Sequence, residues 1–380
     1  MKILYIIDKM TQLAGIERIL TCKMNYLAIN TKHTVFLSTY DQQKKPLSFA
    51  LDNRITYCPF NAPLPNRNGI PLIKWLLSYV QARQTFKKKF HSVLHSISPD
   101  IVICTGYAFP LLDIIIDTCY KAKIKTIMES HVKSDTISMT NYTFSHTMSH
   151  LLSIWDSHIK KSLQRCNCVV TLTQDDKVFW TNHVPRIEVI HNMLTITPKR
   201  VVDYNSKRVI AVGRYVHQKG YDMLLEAWHL IGKELNGWSL YIFGNEDRSP
   251  YQQIVDNFGL RDSVHLLPAT PNIVEEFSKS SLFVMSSRFE GFGLVLIEAK
   301  SCGLPCISFN CPYGPSEIIK DGQDGFLIEN GNVQALSQAL KQLMFNDTLR
   351  QEMGKKAAQN IARYTPEEIM RQWNRLFETI

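Results

Sequence analysis

The 380 residues contain no apolar run close to the ~20 that a helix needs to cross a bilayer. The uncharged stretch from Ile101 to Leu112 is too short and is broken by Gly106 and Pro110. The amino-terminal MKILYIIDKM has no small-residue cleavage site, and Asp8 and Lys9 interrupt its apolar segment. It therefore reads as a first β-strand and not as a secretory leader. No C-x-x-C pair occurs, since the close pair Cys166 and Cys168 is a C-x-C. The nine cysteines are odd in number and scattered through segments that look buried, such as Cys104, Cys168 and Cys306. This pattern predicts structural thiols in a reducing, cytoplasmic setting, with no disulfide framework or metal site. Low-complexity tracts and short repeats are absent too.

What is present is a soluble globular composition, 45% apolar and 20% charged, over a length that usually divides into two domains. The net charge of +9 is unevenly placed. Residues 1–190 hold 23 Lys and Arg against 13 Asp and Glu, and residues 191–380 hold 20 against 21. The first half thus carries a net +10 and the second −1. A domain so charged suits anionic lipid, a lipid-linked phosphate or nucleic acid, or else the charge serves solubility alone. Nucleic acid is disfavoured, because no recognisable module is present and the aromatic residues have helical spacing.

Short apolar, β-branched runs alternate with helical patterns along nearly the whole chain. Strands are expected at Ile3–Ile7, Thr34–Thr39, Ile55–Pro59, Ile101–Thr105, Lys125–Glu129, Cys168–Thr173 and Ile187–His191. A second series follows at Arg208–Val212, Ser239–Phe243, Val264–Leu267, Leu282–Ser286, Pro305–Phe309 and Gly325–Ile328. Helices between them include Ile16–Ile29, Leu72–Ile97, Leu111–Ala122, Thr147–Arg165, Tyr221–Glu234, Pro250–Phe258, Leu294–Cys302 and Val333–Phe345. Continuous apolar strands separated by helices predict parallel sheets covered on both faces. Two such sets, parted by the polar stretch Thr195–Lys207, predict two doubly wound domains, 1–195 and 196–365. A last helix, Pro366–Ile380, starts with Thr365 as N-cap and Pro366 at N1. Open α/β sheets bind ligands beyond the carboxyl ends of their strands, so chemistry is expected in the loops that follow strands.

The densest cluster is SSRFEGFGLVLIEAKSCGLPCIS, Ser286 to Ser308, which follows a strand and enters a helix. Gly291 and Gly293 flank Phe292 and let backbone approach a ligand closely. Amide groups at the helix start, Gly291 to Leu294, favour an anion such as phosphate. A carboxylate at Glu290 would repel a phosphate lying on it and suits sugar hydroxyls instead, and Glu298, eight residues on, could serve ribose hydroxyls. The second cluster is GRYVHQKG, Gly213 to Gly220, again directly after a strand. There Gly213 can turn tightly while Arg214 and Lys219 converge on a diphosphate, each charge-assisted hydrogen bond contributing about 1.5–3 kcal/mol. The competing reading of both cations is a solvated surface.

The E-x7-E of Glu290 and Glu298, the Gly-Arg…Lys-Gly before it and the GLPCISFNCPYGPSEIIKDGQDGFLI after it resemble glycosyltransferase family 4. The resemblance is close in the second half and loose in the first. It implies the GT-B fold, with two Rossmann-like domains facing a cleft and the helix from Pro366 crossing back to the first domain. It also implies a retaining transfer in which Glu290 holds the donor hexose, Glu298 the ribose, and Arg214 and Lys219 the departing nucleoside diphosphate. In the first half it points to Gly15, where one glycine of the family's pair is replaced by Ala14, to His131 over the donor sugar, and to Asn192 near the nucleotide. A lone histidine is more often structural, and His131 is singled out by its place after a strand.

No Asp-x-Asp pair exists to hold a metal on the diphosphate, so a metal-independent reaction is expected. FNCPYGPSEII, Phe309 to Ile319, is similar to enzymes of bacterial exopolysaccharide, capsule or O-antigen assembly. The implied donor is a nucleotide-sugar, a UDP-sugar first, and the implied acceptor a saccharide or lipid-linked saccharide. KWLLSYVQARQTFKKKFH, Lys74 to His91, reads either as a basic amphipathic element at an anionic membrane surface or as a covered Rossmann helix. The alternative functions are a sugar-nucleotide-binding partner subunit without catalysis, and another GT-B activity such as an epimerase or phosphorylase. Intact Glu290, Glu298, Arg214 and Lys219 weigh against the first, and the lack of a recognisable pyridoxal phosphate lysine site weighs against a phosphorylase.

Overall fold

The structure is a computed structural model that describes residues 1–12, 14–66, 69–105, 110–131, 157–198 and 202–380. It divides into two compact units, Met1–His191 with Ile369–Ile380, and Asn192–Glu368.

The first unit is built on a seven-stranded sheet in the order β3-β2-β1-β4-β5-β6-β7. Its strands are β1 Lys2–Ile7, β2 Thr34–Thr39, β3 Thr56–Tyr57, β4 Ile101–Thr105, β5 Lys125–Glu129, β6 Cys168–Thr171 and β7 Ile187–Val189. All neighbours pair in parallel. Every residue of β4 is buried, as expected of a central strand covered on both faces. The helix Leu72–Ile97 contributes Trp75, Tyr79, Phe86, Phe90, Leu94 and Ile97 to the interior, spaced along one helical face. Phe86 meets Tyr40 edge-on at 5.2 Å between ring centroids. Each such side chain contributes about 1.5–3 kcal/mol of burial. The helix stops at Ser98, whose left-handed φ of 48° caps it just before Pro99.

The second unit repeats the plan with six strands in the order β10-β9-β8-β11-β12-β13. They are β8 Arg208–Val212, β9 Ser239–Gly244, β10 Val264–Pro268, β11 Leu282–Met285, β12 Cys306–Phe309 and β13 Gly325–Ile328. These also pair in parallel throughout.

The strands fall where the apolar runs predict them, with ends differing by a residue or two. Four helices have no counterpart in the expectation: Gln174–Trp180, Ile273–Ser278, Pro315–Ile318 and Asp347–Gln359. Two of them are of six residues or fewer, too short for a helical period to register. The expected helix Thr147–Arg165 lies largely outside the described residues, and of it residues 157–163 are helical. In the last helix, Pro366–Thr379, Glu368 N donates to the Thr365 hydroxyl at 3.4 Å, and from Ile369 onward the helix belongs to the first unit. There it buries Ile369, Met370, Trp373, Leu376 and Phe377. No helix among the described residues is long and apolar enough to cross a membrane.

The aromatic face of Leu72–Ile97 is core. Trp75, Tyr79, Phe86 and Phe90 are covered, which is the covered-helix account of that segment. Its outward face is different: Ile73, Leu77 and Val80 are exposed at helical spacing, together with Lys74, Lys87, Lys88 and Lys89.

Candidate functional site

In the second unit the strand order reverses between β8 and β11. The loops leaving those strands, residues 213–220 and 286–293, therefore part at a topological switch point, and the loop after β12 lies beside them. The first two loops are stitched together. Arg288 N donates to Gln218 O at 2.8 Å, Gln218 Nε2 to Phe289 O at 2.9 Å, and Ser286 Oγ to Lys219 O at 2.9 Å. Arg288 also forks onto Asp222 at 2.8 and 2.6 Å, and this hydrogen bond holds the Asp222 carboxyl below its ordinary range. Gly220, at φ 62°, sits where an added Cβ would lie 2.1 Å from Ser286 O. Only glycine lets the loops approach this closely.

That seam fixes Lys219 against Glu290. Lys219 Nζ lies 2.6 Å from Glu290 Oε1, and Ser287 Oγ donates to the same oxygen at 2.6 Å. Both side chains are largely covered, at 16% and 8% exposure. Gly213 leaves room for the Lys219 stem, since a Cβ there would lie 2.9 Å from Lys219 Cε. Arg214 stands exposed on the same loop. The third loop backs the arrangement: Glu290 N donates to Pro312 O at 3.2 Å. Burial pushes the neighbouring Cys311 thiol up to about 12, with the Glu290 charge adding to the effect.

The helix Leu294–Ser301 starts on Gly293, at φ 90°. Gly291 is half-buried, while the Phe292 ring turns inward and meets Tyr364 edge-on at 5.8 Å. Of Gly291-Phe292-Gly293, then, the ring of Phe292 belongs to the core. Glu298 is buried on the same helix, and Thr195 Oγ1 donates to its Oε1 at 3.0 Å. Asn192 is buried at the first residue of this unit. Glu290, Lys219, Arg214 and Gly213 thus lie on the adjoining loops beyond β8 and β11, and Glu298 lies within the helix after β11.

In the first unit the order reverses between β1 and β4, and Gly15 opens the helix Gly15–Asn30 just beyond β1. Asp8 and Glu17 lie on this stretch with carboxyls raised, first by burial and then by nearby acidic charge. His131 lies two residues past β5, buried, with Nε2 2.8 Å from Glu129 Oε2. Lys23, from the helix Gly15–Asn30, pairs with the same oxygen. Burial alone would raise the Glu129 carboxyl, but the Lys23 charge and the His131 hydrogen bond outweigh it and hold it at about 2. Burial lowers the Lys23 ammonium more than Glu129 restores it.

The sequence reading missed Ser287, Thr195, Asp222, Lys23 and Glu129. Their partners lie 3, 103, 66, 106 and 2 residues away, and no periodic pattern marks them. Among the described residues no three His, Cys, Asp or Glu side chains gather closely enough to hold a metal ion.

Two doubly wound parallel sheets, with paired charges at the switch point of the second, define an α/β protein of two Rossmann-like units. Residues 192–360 match the family glycosyl transferases group 1. The chain is 34% identical over 216 residues to the amylovoran biosynthesis glycosyltransferase AmsD of Erwinia amylovora, covering 54% of this chain and 60% of that protein. TarM of S. aureus, solved in a complex with UDP, is 28% identical at a TM-score of 0.60, covering 73% of this chain and 55% of TarM. The chain thus spans little more than half the length of these two relatives. Sucrose-phosphate synthase from Thermosynechococcus elongatus superposes over 100% of this chain and 98% of its own, with a TM-score of 0.77 at 17% identity. That likeness concerns the fold, which is the two-domain α/β GT-B architecture.

Proposed function

We propose that the protein is a retaining glycosyltransferase that moves a hexose from a nucleoside diphosphate sugar to a saccharide or lipid-linked saccharide acceptor in bacterial polysaccharide assembly. The observation that carries this reading is the Lys219–Glu290–Ser287 cluster at the switch point, with Arg214 exposed on the same loop. A nucleoside diphosphate leaves with charge on its distal phosphate, and two cations beside that position stabilise it without a metal. Glu290 is held from two sides, which suits a fixed acceptor for sugar hydroxyls and not a mobile nucleophile. With no enzymic nucleophile assigned, a donor phosphate oxygen takes the acceptor's proton on the face from which the diphosphate leaves. A relative named for amylovoran biosynthesis and a UDP complex of a 28% identical protein support polysaccharide assembly and a UDP-sugar.

A thermal-shift screen of UDP-sugars and GDP-mannose tests the reading. A true donor at 100 times its dissociation constant adds about 2.7 kcal/mol of stability. Loss of that shift is expected in Arg214→Ala and Lys219→Ala. No shift from any nucleotide-sugar with the folded wild type would end the proposal.

The same reading places the acceptor's lipid at an anionic surface met by the first unit. The support is the outward face of Leu72–Ile97, where Ile73, Leu77 and Val80 are exposed beside Lys74, Lys87 and Lys88.

A further inference from the structure

The first unit contains a buried ionic cluster that the transfer mechanism does not use. Lys23 and Glu129 are 4% and 2% exposed in their side chains and form an ion pair. Trp373, from the last helix, covers the ammonium with its ring centroid 4.1 Å from Nζ, and Tyr5 lies at 6.0 Å. His131, at 1% side-chain exposure, adds its Nε2 to the carboxylate oxygen that Lys23 holds. Four neighbouring polar atoms have no hydrogen-bond partner among the described residues: Tyr5 Oη, Thr105 Oγ1, Glu129 Oε1 and His131 Nδ1. Thr105 and Glu129 are register partners at the ends of β4 and β5, so these atoms collect at the carboxyl edge of the sheet, where ligands bind.

Charge balance decides the state of the imidazole. One buried ammonium already offsets one buried carboxylate. A protonated His131 would leave a second buried cation uncompensated, with an N–H that has nothing to donate to among the described residues. A neutral ring that donates from Nε2 to Glu129 satisfies the pair and keeps Nδ1 as an acceptor.

We propose that Lys23 and Glu129 are positioning residues that hold His131 as the neutral imidazole protonated on Nε2, leaving the Nδ1 lone pair to accept a saccharide hydroxyl. Lys23 anchors the carboxylate, the carboxylate orients the ring, and the last helix seals the ammonium through Trp373. The identity of the hydroxyl rests on the transferase reading above; the state of the ring does not.

Imidazole ¹⁵N chemical shifts of the ligand-free full chain at pH 7 test this, with the His131 signals assigned by their loss in His131→Asn. The expected spectrum has His131 protonated on Nε2 and unprotonated on Nδ1. Glu129→Gln is expected to mix the two tautomers, Lys23→Met to do the same, and Lys23→Arg to restore the wild-type pattern. Should any of these variants fail to fold, the double variant Lys23→Met with Glu129→Leu replaces the whole pair by apolar groups of similar size, which buried pairs commonly tolerate. In it the fixed tautomer should be lost while cooperative unfolding persists. A wild-type His131 that is doubly protonated or protonated on Nδ1, or a folded double variant with the wild-type pattern, overturns the proposal. A correct tautomer with no response to any nucleotide-sugar in the thermal-shift screen would instead sink the transferase reading and leave the positioning role standing.

Discussion

A single oxygen, Glu290 Oε1, receives both the Lys219 ammonium and the Ser287 hydroxyl, each at 2.6 Å. Groups that share one partner do not contribute independently. We therefore expect Lys219→Ala and Glu290→Ala each to lower turnover at least tenfold, and the double variant to lose little more than the worse single one. Steady-state kinetics with the donor found by thermal shift would check this, and strict multiplication of the two losses would mean that the residues act separately. Glu129 sets a second expectation. Its carboxyl lies at about 2 in the folded protein against an ordinary value near 4.5. A depressed carboxyl stabilises the fold above its unfolded pKa, and that contribution is lost as pH falls from about 4.5 toward 2. Acid denaturation of Glu129→Gln should consequently begin from lower stability at neutral pH and be less steep over that window. An unchanged acid limb in Glu129→Gln would show that the pair is not a source of acid sensitivity.

At the scale of elements, the seam between the loops after β8 and β11 depends on backbone approach as much as on side chains. Gly220→Ala puts a methyl group 2.1 Å from Ser286 O at a left-handed φ. Gly331→Ala has a similar φ of 82° but meets nothing within 4 Å. The second change should cost about 1–2 kcal/mol from the backbone alone. The first should cost distinctly more and also weaken donor binding, because the seam holds Lys219 in place. Equal losses for the two variants in denaturant titrations would contradict the close approach. The helix Leu72–Ile97 also has two faces with separate duties. Its rings are core, so the exposed stripe and lysines can change without loss of fold. Leu77→Ser with Lys87→Glu and Lys88→Glu is expected to abolish sedimentation with anionic vesicles at low salt while leaving the unfolding midpoint within a few degrees. Equal sedimentation of the wild type with anionic and neutral vesicles would remove the membrane proposal.

For the molecule as a whole, the charge of the first half and the near-neutral second half suit the proposed division between an acceptor unit and a nucleotide-binding unit. The proposed leaving-group cations, Arg214 and Lys219, both sit in the second unit, and with them in place EDTA should leave turnover unchanged. Loss of activity on chelation, restored by a divalent cation, would show that a metal shares the diphosphate.

Strand positions were legible because strands covered on both faces carry short runs of consecutive apolar residues. β2, β4, β5, β8 and β13 are read to the residue. Glu290, Lys219 and Arg214 could be singled out because the strand-to-helix turns that carry them are local. The sequence by itself also determined the parallel, twice-repeated plan, since period and composition act along the chain. Tertiary structure alone decided that Lys219 meets Glu290 71 residues away, that Lys23 meets Glu129 across 106, and that Trp373 closes over Lys23. It also decided that the rings of Leu72–Ile97 face inward and its lysines outward. Pairing across a sheet depends on which helices pack against which strands, and burial and charge neutralisation select those partners only when the chain has closed on itself.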